Sequence, residues 1–121
     1  MACRVARRRK SKVNATDLEP KADKALRFLH EEAMAHAQAR ANADYLENWV
    51  KVEKARIMAL FVGMSNAAAE AEALRHPAYL EALQAKKIAD EAWYLAQFKR
   101  SAAEAVLDCW RTACSNMRAN V

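Results

Sequence analysis

Cations and aromatic rings are interleaved in the second half of the sequence. Lys86, Trp93 and Arg100 recur every seven residues, a spacing that places them on one face of a helix. Proteins that bind single-stranded DNA combine cations, which follow the phosphates, with rings that stack on bases at about 1–3 kcal/mol each. In the alternative interpretation, Trp93 borders a helical core and its indole N–H reaches solvent. The candidate nucleic-acid-binding residues of this face are Lys86, Lys87, Trp93, Tyr94, Lys99, Arg100 and Arg111.

An earlier segment repeats this mixture more weakly. Its members are Tyr45, Trp49, Lys51, Lys54 and Arg56. Here we interpret Trp49 as a core or interface residue rather than a platform for bases.

The net charge of the chain comes from its first residues. Residues 1–12 hold six Lys and Arg side chains and no acid, and without them residues 13–121 hold 14 basic and 15 acidic side chains. The net charge of +5 therefore belongs to a short segment on a nearly neutral body. Like charges with nothing to bury predict a disordered basic arm over residues 1–15, in which Arg7, Arg8, Arg9 and Lys10 neutralise phosphates. The alternative is a solvated tail without a ligand, or an N-terminal extension that arises from the choice of start codon.

Composition predicts an all-α fold. The 121 residues include one Gly and two Pro, too few for the tight turns of a sheet protein. About a quarter of the residues are Ala, the best helix former but one that buries little apolar area. We expect a single helical domain over residues 16–121 with a thin core, and association into a homo-oligomer that covers more apolar surface.

Three helices are predicted, over about residues 19–41, 44–75 and 77–118. Thr16 and Glu19 have capping-box spacing before the first helix, and His76-Pro77 separates the second from the third. Asn42 and Asp44 predict that the chain breaks or bends between the first and second helices. Gly63 is interpreted as a tolerated glycine or a kink within the second helix.

Apolar residues follow both long helices at alternating steps of four and three. In the second helix this heptad seam runs from Leu46 to Leu74 and has one charged member, Glu53. In the third helix the seam begins with alanines, which let two antiparallel helices approach closely. The predicted architecture is a long antiparallel helical hairpin, coiled-coil-like, with an additional N-terminal helical segment and the basic arm. The alanines are Ala78, Ala82, Ala85, Ala89, Ala92 and Ala96.

The sequence lacks the motifs of a metal site or an enzyme. His30-Glu31-Glu32 begins like a zinc-protease motif, but Met34 stands where the second His is needed. There is no Cys-x-x-Cys pair, and one glycine cannot build a phosphate-binding loop. We therefore predict no catalytic residue, no metal ligand, no cofactor and no enzymatic activity.

Cysteine usage and hydropathy predict a cytoplasmic protein. The odd set of Cys3, Cys109 and Cys114 fits a reducing compartment, because the last two point apart on a helix and cannot pair with each other. No apolar stretch has the length of a membrane span, and the N-terminus lacks the apolar core of a signal peptide. We expect no membrane partner.

Two short segments resemble known proteins. Leu74-Arg75-His76-Pro77-Ala78-Tyr79 and the ending Cys109-Trp110-Arg111, followed by Ser115-Asn116 and Arg118, resemble small alanine-rich helical proteins of phages and prophages, whose genes often lie in recombination regions. The layout of residues 20–118 is also similar to that of the UvsY-type recombination mediators of T-even phages. Those proteins oligomerise, bind single-stranded DNA and help load a recombinase in place of the single-strand-binding protein.

Two main hypotheses for the function follow, and a third possibility is a purely structural coiled-coil component of a virion. The first is a non-enzymatic phage recombination mediator that binds single-stranded DNA, with a recombinase or a single-strand-binding protein as a further partner. The second is a protein-binding adaptor or inhibitor that acts on a host or phage protein through its helical face. The nearly neutral body suits the second hypothesis, because docking of a helix in a groove needs no basic stripe.

Overall fold

The computed structural model describes residues 14–119, which form four helices and no strand. The helices are α1 (Ala15–Glu31), α2 (Ala33–Met58), α3 (Asn66–Arg75) and α4 (Pro77–Ala119). The predicted all-α fold class is confirmed. Arg7, Arg8, Arg9 and Lys10 of the predicted arm lie outside the described residues.

The first helix begins four residues before the predicted start. Its N-cap is Asn14, whose side-chain oxygen accepts a hydrogen bond from the Asp17 N–H at 3.0 Å. The Asn side chain satisfies one of the free N–H groups of the first turn, so Thr16 and Glu19 lie inside the helix and the predicted capping box is wrong. Pro20 is also inside the helix.

The break between the first two helices lies at Glu32 and not at residues 41–44. The Glu32 N–H still donates to the Phe28 carbonyl at 2.9 Å, and α2 begins at the next residue. Asn42 and Asp44 are ordinary members of α2. Each is less favourable than Ala by at most about 0.7 kcal/mol in a helix, and the flanking alanines outweigh this cost.

The predicted helix 44–75 is two helices. The chain leaves α2 after Met58, and residues 59–65 form turns in which Gly63 has φ +92°, a conformation that other residues rarely adopt. Ser65 then caps α3, its hydroxyl accepting from the Ala68 N–H at 3.3 Å. Leu60 and Met64, predicted members of the heptad seam, are exposed in this segment.

The boundary at His76-Pro77 is confirmed. His76 has extended backbone angles, and its ring Nδ1 accepts a hydrogen bond from the Ala78 N–H at 3.1 Å. Pro77 opens α4, where its missing N–H removes no helical hydrogen bond. The helix then continues to Ala119, within one residue of the prediction.

The described chain divides into two compact units. The first comprises residues 14–33 and 98–119, and the second comprises residues 34–97. In the first unit, α1 packs on the end of α4 through Ala22, Ala25, Ala103 and Leu107. Partly buried Phe28, Leu29, Val106 and Trp110 surround this cluster. The single hairpin predicted for the whole chain stays a prediction.

Alanine dominates the buried residues. Of the eleven buried hydrophobic residues among those described, nine are Ala and only Ile57 and Leu107 are large. By contrast, sixteen large hydrophobic side chains are exposed. The predicted thin core is confirmed, and much apolar surface faces solvent.

Glu53 is the one charged residue in the described core of the second unit. Its side chain is 4% exposed, and its Oε2 accepts a hydrogen bond from Arg56 Nη2 at 2.9 Å. The other oxygen, Oε1, is buried without a hydrogen-bond partner. A buried polar atom that lacks a partner opposes folding.

Replacing Glu53 by a hydrophobic residue of similar size is therefore expected to stabilise the fold. We predict that Glu53→Leu raises the free energy of unfolding in urea by about 1–2 kcal/mol, because Arg56 is 67% exposed and stays hydrated without its partner. The exposed control Glu91→Leu should change it by less than about 0.5 kcal/mol. A loss of stability in Glu53→Leu would contradict the prediction.

Candidate binding surfaces

Trp93 contacts two residues of α2 in the second unit. Its ring lies edge-to-face with His36, with ring centroids 4.9 Å apart, and the Arg40 guanidinium carbon is 5.4 Å from the ring centroid. His36 and Arg40 are four residues apart, so both reach the ring from one face of α2. The half-buried Trp93 therefore already has ring partners, which favours its structural interpretation over stacking on bases.

Three of the predicted DNA-binding cations form ion pairs on their own helix. Lys86 pairs with Asp90 at 2.6 Å, and its hydrogen bond to this carboxylate raises the pKa of Lys86 above its ordinary value, an effect to which the charge of Glu47 adds. In the first unit, Arg100 pairs with Glu104 at 3.0 Å and Arg111 with Asp108 at 3.3 Å. Exposed pairs of this kind add little stability, but they neutralise the charge available to a phosphate.

Lys87 and Tyr94 remain accessible in the second unit. Both are exposed and seven residues apart on α4, and Lys87 forms no ion pair with any residue in 14–119. They share a shallow groove of about 370 Å³. The groove is lined by Leu83, Lys86, Lys87, Asp90, Glu91 and Tyr94. The charges of its two lysines and two acids sum to zero. Lys99, in the first unit, is also exposed and has no ion-pair partner in the described chain.

The structure shows an exposed apolar stripe on α2 that the sequence analysis did not identify. Tyr45, Trp49 and Val52 follow helical steps of four and three, and all three are exposed. The rings of Tyr45 and Trp49 stack nearly parallel, at 10° and 6.5 Å between centroids. In the sequence the two rings stand near Lys51 and Lys54, which suggested a mixed cationic and aromatic segment. The signal that was missed is Val52, which follows Trp49 by three residues and so continues an apolar row on one face of the helix.

The contacts of Trp93 show which edges of α2 and α4 adjoin in the second unit. Arg40 lies over the Trp93 ring, and His36, one turn earlier on α2, meets the same ring edge-to-face. At about 100° per residue, the opposite edge of α2 carries Tyr45, Trp49 and Val52, and the opposite edge of α4 carries Ile88, Ala92 and Leu95. These six exposed residues therefore lie on the same side of the helix pair, and we call them the apolar face.

The other side of α2 is polar and is bound to α3. Lys54 Nζ lies 2.6 Å from Glu70 Oε1, and this hydrogen bond raises the pKa of Lys54 above its ordinary value. Ala69 and Ala73 of α3 are buried. The second unit thus has a polar side, which carries this contact with α3, and an uncovered apolar side.

Known proteins do not identify the chain. No protein-family model matches it, and no curated protein or solved structure shows significant similarity to it. Residues 14–119 contain no cluster of three His, Cys, Asp or Glu side chains able to hold a metal ion. None of the described helices is long and apolar enough to cross a membrane. The resemblance to phage recombination mediators stays a hypothesis.

The two aromatic neighbours Trp93 and Tyr94 are expected to differ in their effect on stability. Trp93→Ala should lower the free energy of unfolding by about 3 kcal/mol, because it removes the ring between His36, Arg40 and α4. Tyr94→Ala should lower it by less than about 1 kcal/mol, since Tyr94 is 56% exposed. Urea denaturation followed by circular dichroism measures both, and equal losses would contradict the structural role of Trp93.

Proposed function

We propose that the protein is a non-enzymatic cytoplasmic adaptor that binds a partner protein through exposed helical faces. The observation that carries the proposal is the exposure of sixteen large hydrophobic side chains around a core made almost entirely of alanine. Isolated exposed hydrophobic residues are ordinary, but a contiguous patch typically marks an interaction site. The apolar face is such a patch.

The residue types on the apolar face support protein binding. Trp and Tyr are enriched among the residues that dominate binding energy at protein interfaces, and Tyr45 and Trp49 stand side by side here. Their stacking holds each ring in place before binding, so less side-chain freedom is lost when a partner covers them. The smaller Val52 and Ala92 beside them let a partner helix approach closely.

Affinity capture tests this function with a matched pair of variants. We expect the full chain to retain a partner from a nuclease-treated lysate of its source cells, and Ile88→Glu to lose that partner by placing a carboxylate in the apolar face. Val62→Glu is the control, because Val62 is 94% exposed in the turn segment outside this face. Mass spectrometry identifies the partner, and purified components should rebind.

Loss of every partner on nuclease treatment would contradict the adaptor. Equal retention by Ile88→Glu and Val62→Glu would also contradict it, because binding would then not depend on the apolar face.

A second candidate function is binding of single-stranded DNA in support of phage recombination. It is favoured by Lys87 and Tyr94, a cation and a ring that are both exposed on α4. The six cations of residues 1–12 would add affinity that depends on salt and not on base sequence. A recombinase or a single-strand-binding protein is the protein partner that this function implies, and self-association would let several copies hold one strand.

The DNA hypothesis predicts a specific loss in filter binding. Lys87→Glu with Tyr94→Ala should weaken binding to oligo-dT at least tenfold at low salt, because both a phosphate contact and a stacking ring are removed. Lys51→Glu is the control, since Lys51 is an exposed lysine on α2 of the same unit. Equal binding by the two variants, or no binding by the unmodified chain, would reject this candidate.

A further inference from the structure

We infer that the chain forms an antiparallel homodimer through the outer side of α4, with Lys87 of each copy paired with Glu91 of the other. The inference goes beyond the proposed adaptor function and does not depend on it. It rests on the pattern of exposed residues along α4, on the order of two unpaired charges within that pattern, and on the apolar area around them.

A heptad seam runs along the outer side of α4 in the second unit. Five exposed residues follow one another at alternating steps of four and three, the spacing of a coiled-coil seam. By helical position they lie within about 40° of one line, on the side of α4 opposite the buried Ala82 and Ala89. We call them the outer seam, and its members are Leu80, Gln84, Lys87, Glu91 and Tyr94.

The centre of the outer seam carries one charge of each sign. Neither Lys87 nor Glu91 forms an ion pair with any of residues 14–119. A polar residue in a coiled-coil seam specifies the register and the oligomeric state at a cost in stability. An occupant that covers the outer seam must therefore present an acid to Lys87 and a cation to Glu91.

A second copy meets this requirement when it lies antiparallel to the first. About a two-fold axis at position 89, residues equally far from that position on either side come level with each other. Lys87 then lies beside Glu91 of the second copy and Glu91 beside its Lys87, while Gln84 comes level with Tyr94. The outer seam thus complements itself, as a closed two-fold interface requires.

Other occupants leave a charge of the seam beside a like charge. DNA would bring phosphates to Glu91, and a helix with charges of one sign would place a like charge beside either Lys87 or Glu91. Parallel pairing of two copies in register would place Lys87 beside Lys87 and Glu91 beside Glu91. The order of the two charges therefore selects an antiparallel second copy.

The neighbouring charges of α4 agree with this arrangement. On one flank of the outer seam, Lys86 and Asp90 pair with each other. On the other flank, Glu81 and Lys99 lie on one line of the continuous helix, about 80° from Glu91. They are eight and ten residues from position 89, so the same rotation brings each almost level with the opposite charge of the second copy.

The apolar area around the outer seam is sufficient for a dimer. Leu83 borders the seam on one side and Ile88 and Leu95 on the other, and with Leu80 and Tyr94 these five side chains are 38–59% exposed. At roughly 100 Å² uncovered for each, and about 50 Å² for each long polar stem, one copy offers about 650 Å². Two copies bury about 1,300 Å², within the range of specific interfaces. The α2 half of the apolar face is not part of this contact.

Charge reversal tests the pairing with the full chain. Sedimentation equilibrium at micromolar concentrations, in low salt and after nuclease treatment, should show a dimer. Lys87→Glu and Glu91→Lys should each raise the dissociation constant about tenfold or more, because each variant places like charges together twice across the two-fold axis. Glu91→Lys also separates self-association from bridging by DNA, since loss of this acid would favour DNA binding.

Mixing the two variants should restore the pairing. One copy then carries two acids in the outer seam and the other carries two cations, so both contacts become favourable. With a fluorescein label on one variant, sedimentation velocity should show a heterodimer whose dissociation constant is within about threefold of that of the unmodified dimer. The double variant Lys87→Glu with Glu91→Lys should recover self-association to the same extent.

Two controls separate the outer seam from the net charge of the protein. Lys51→Glu and Glu31→Lys make the same changes of net charge at exposed positions outside the seam. Both should keep the dissociation constant of the unmodified chain, and equal weakening in these controls would contradict a local role for Lys87 and Glu91. Circular dichroism checks that each variant is folded.

Several further results would overturn the inference. A monomer at every micromolar concentration rejects the dimer. A dimer that Lys87→Glu and Glu91→Lys leave unchanged rejects the outer seam as its interface, and failure of the two variants to pair when mixed rejects the contact between Lys87 and Glu91. Each of these results leaves the adaptor function standing, because lysate capture tests that function separately.

Discussion

Close packing of alanine against neighbouring helices is the constraint on which both units depend. Ala22, Ala25 and Ala103 form most of the first cluster, and Ala82 and Ala89 are buried in the second unit. Small side chains allow close approach of helix backbones, but each buries little apolar area. Helices that pack this closely on alanine leave little space between them for large side chains. Most large hydrophobic residues of the described chain therefore lie on the surface, where another molecule can contact them.

The few larger buried groups define how α2 meets α4 in the second unit. Glu53 and Ile57 occupy successive positions of the buried stripe on α2, and a carboxylate in such a stripe is weak evidence for stability. Its hydrogen bond to Arg56 lies within α2, so that contact does not fix the register between the helices. Trp93 contributes to the register, because sliding α2 by one turn along α4 would leave its ring beside only one of His36 and Arg40.

Local signals in the sequence predicted some helix ends and missed others. His76-Pro77 was predictable because proline restricts the residue before it. Gly63 was underestimated, because the cost of a glycine inside a helix is only about 1 kcal/mol, whereas its φ of +92° shows that the chain turns there. Asn14 and Thr16 are both plausible caps by residue type, and only the backbone geometry distinguishes them. The surroundings of Trp93 depend on residues more than fifty positions away, which helical periodicity cannot reveal.

Local ion pairing decides which charges can contribute to recognition. Lys86, Arg100 and Arg111 satisfy acids three or four residues away on α4, so the cationic stripe seen in the sequence is largely neutralised in the fold. Glu81 and Glu91 have no partner in ion-pair contact within the described chain. An unpaired exposed acid adds little to stability and is free to pair with a ligand. On the second unit the cationic stripe suggested by the sequence therefore gives way to an apolar face, and the unpaired charges of α4 near it, Glu81, Glu91 and Lys87, have both signs. Hydrophobic contact, and not net charge, then dominates recognition at this face.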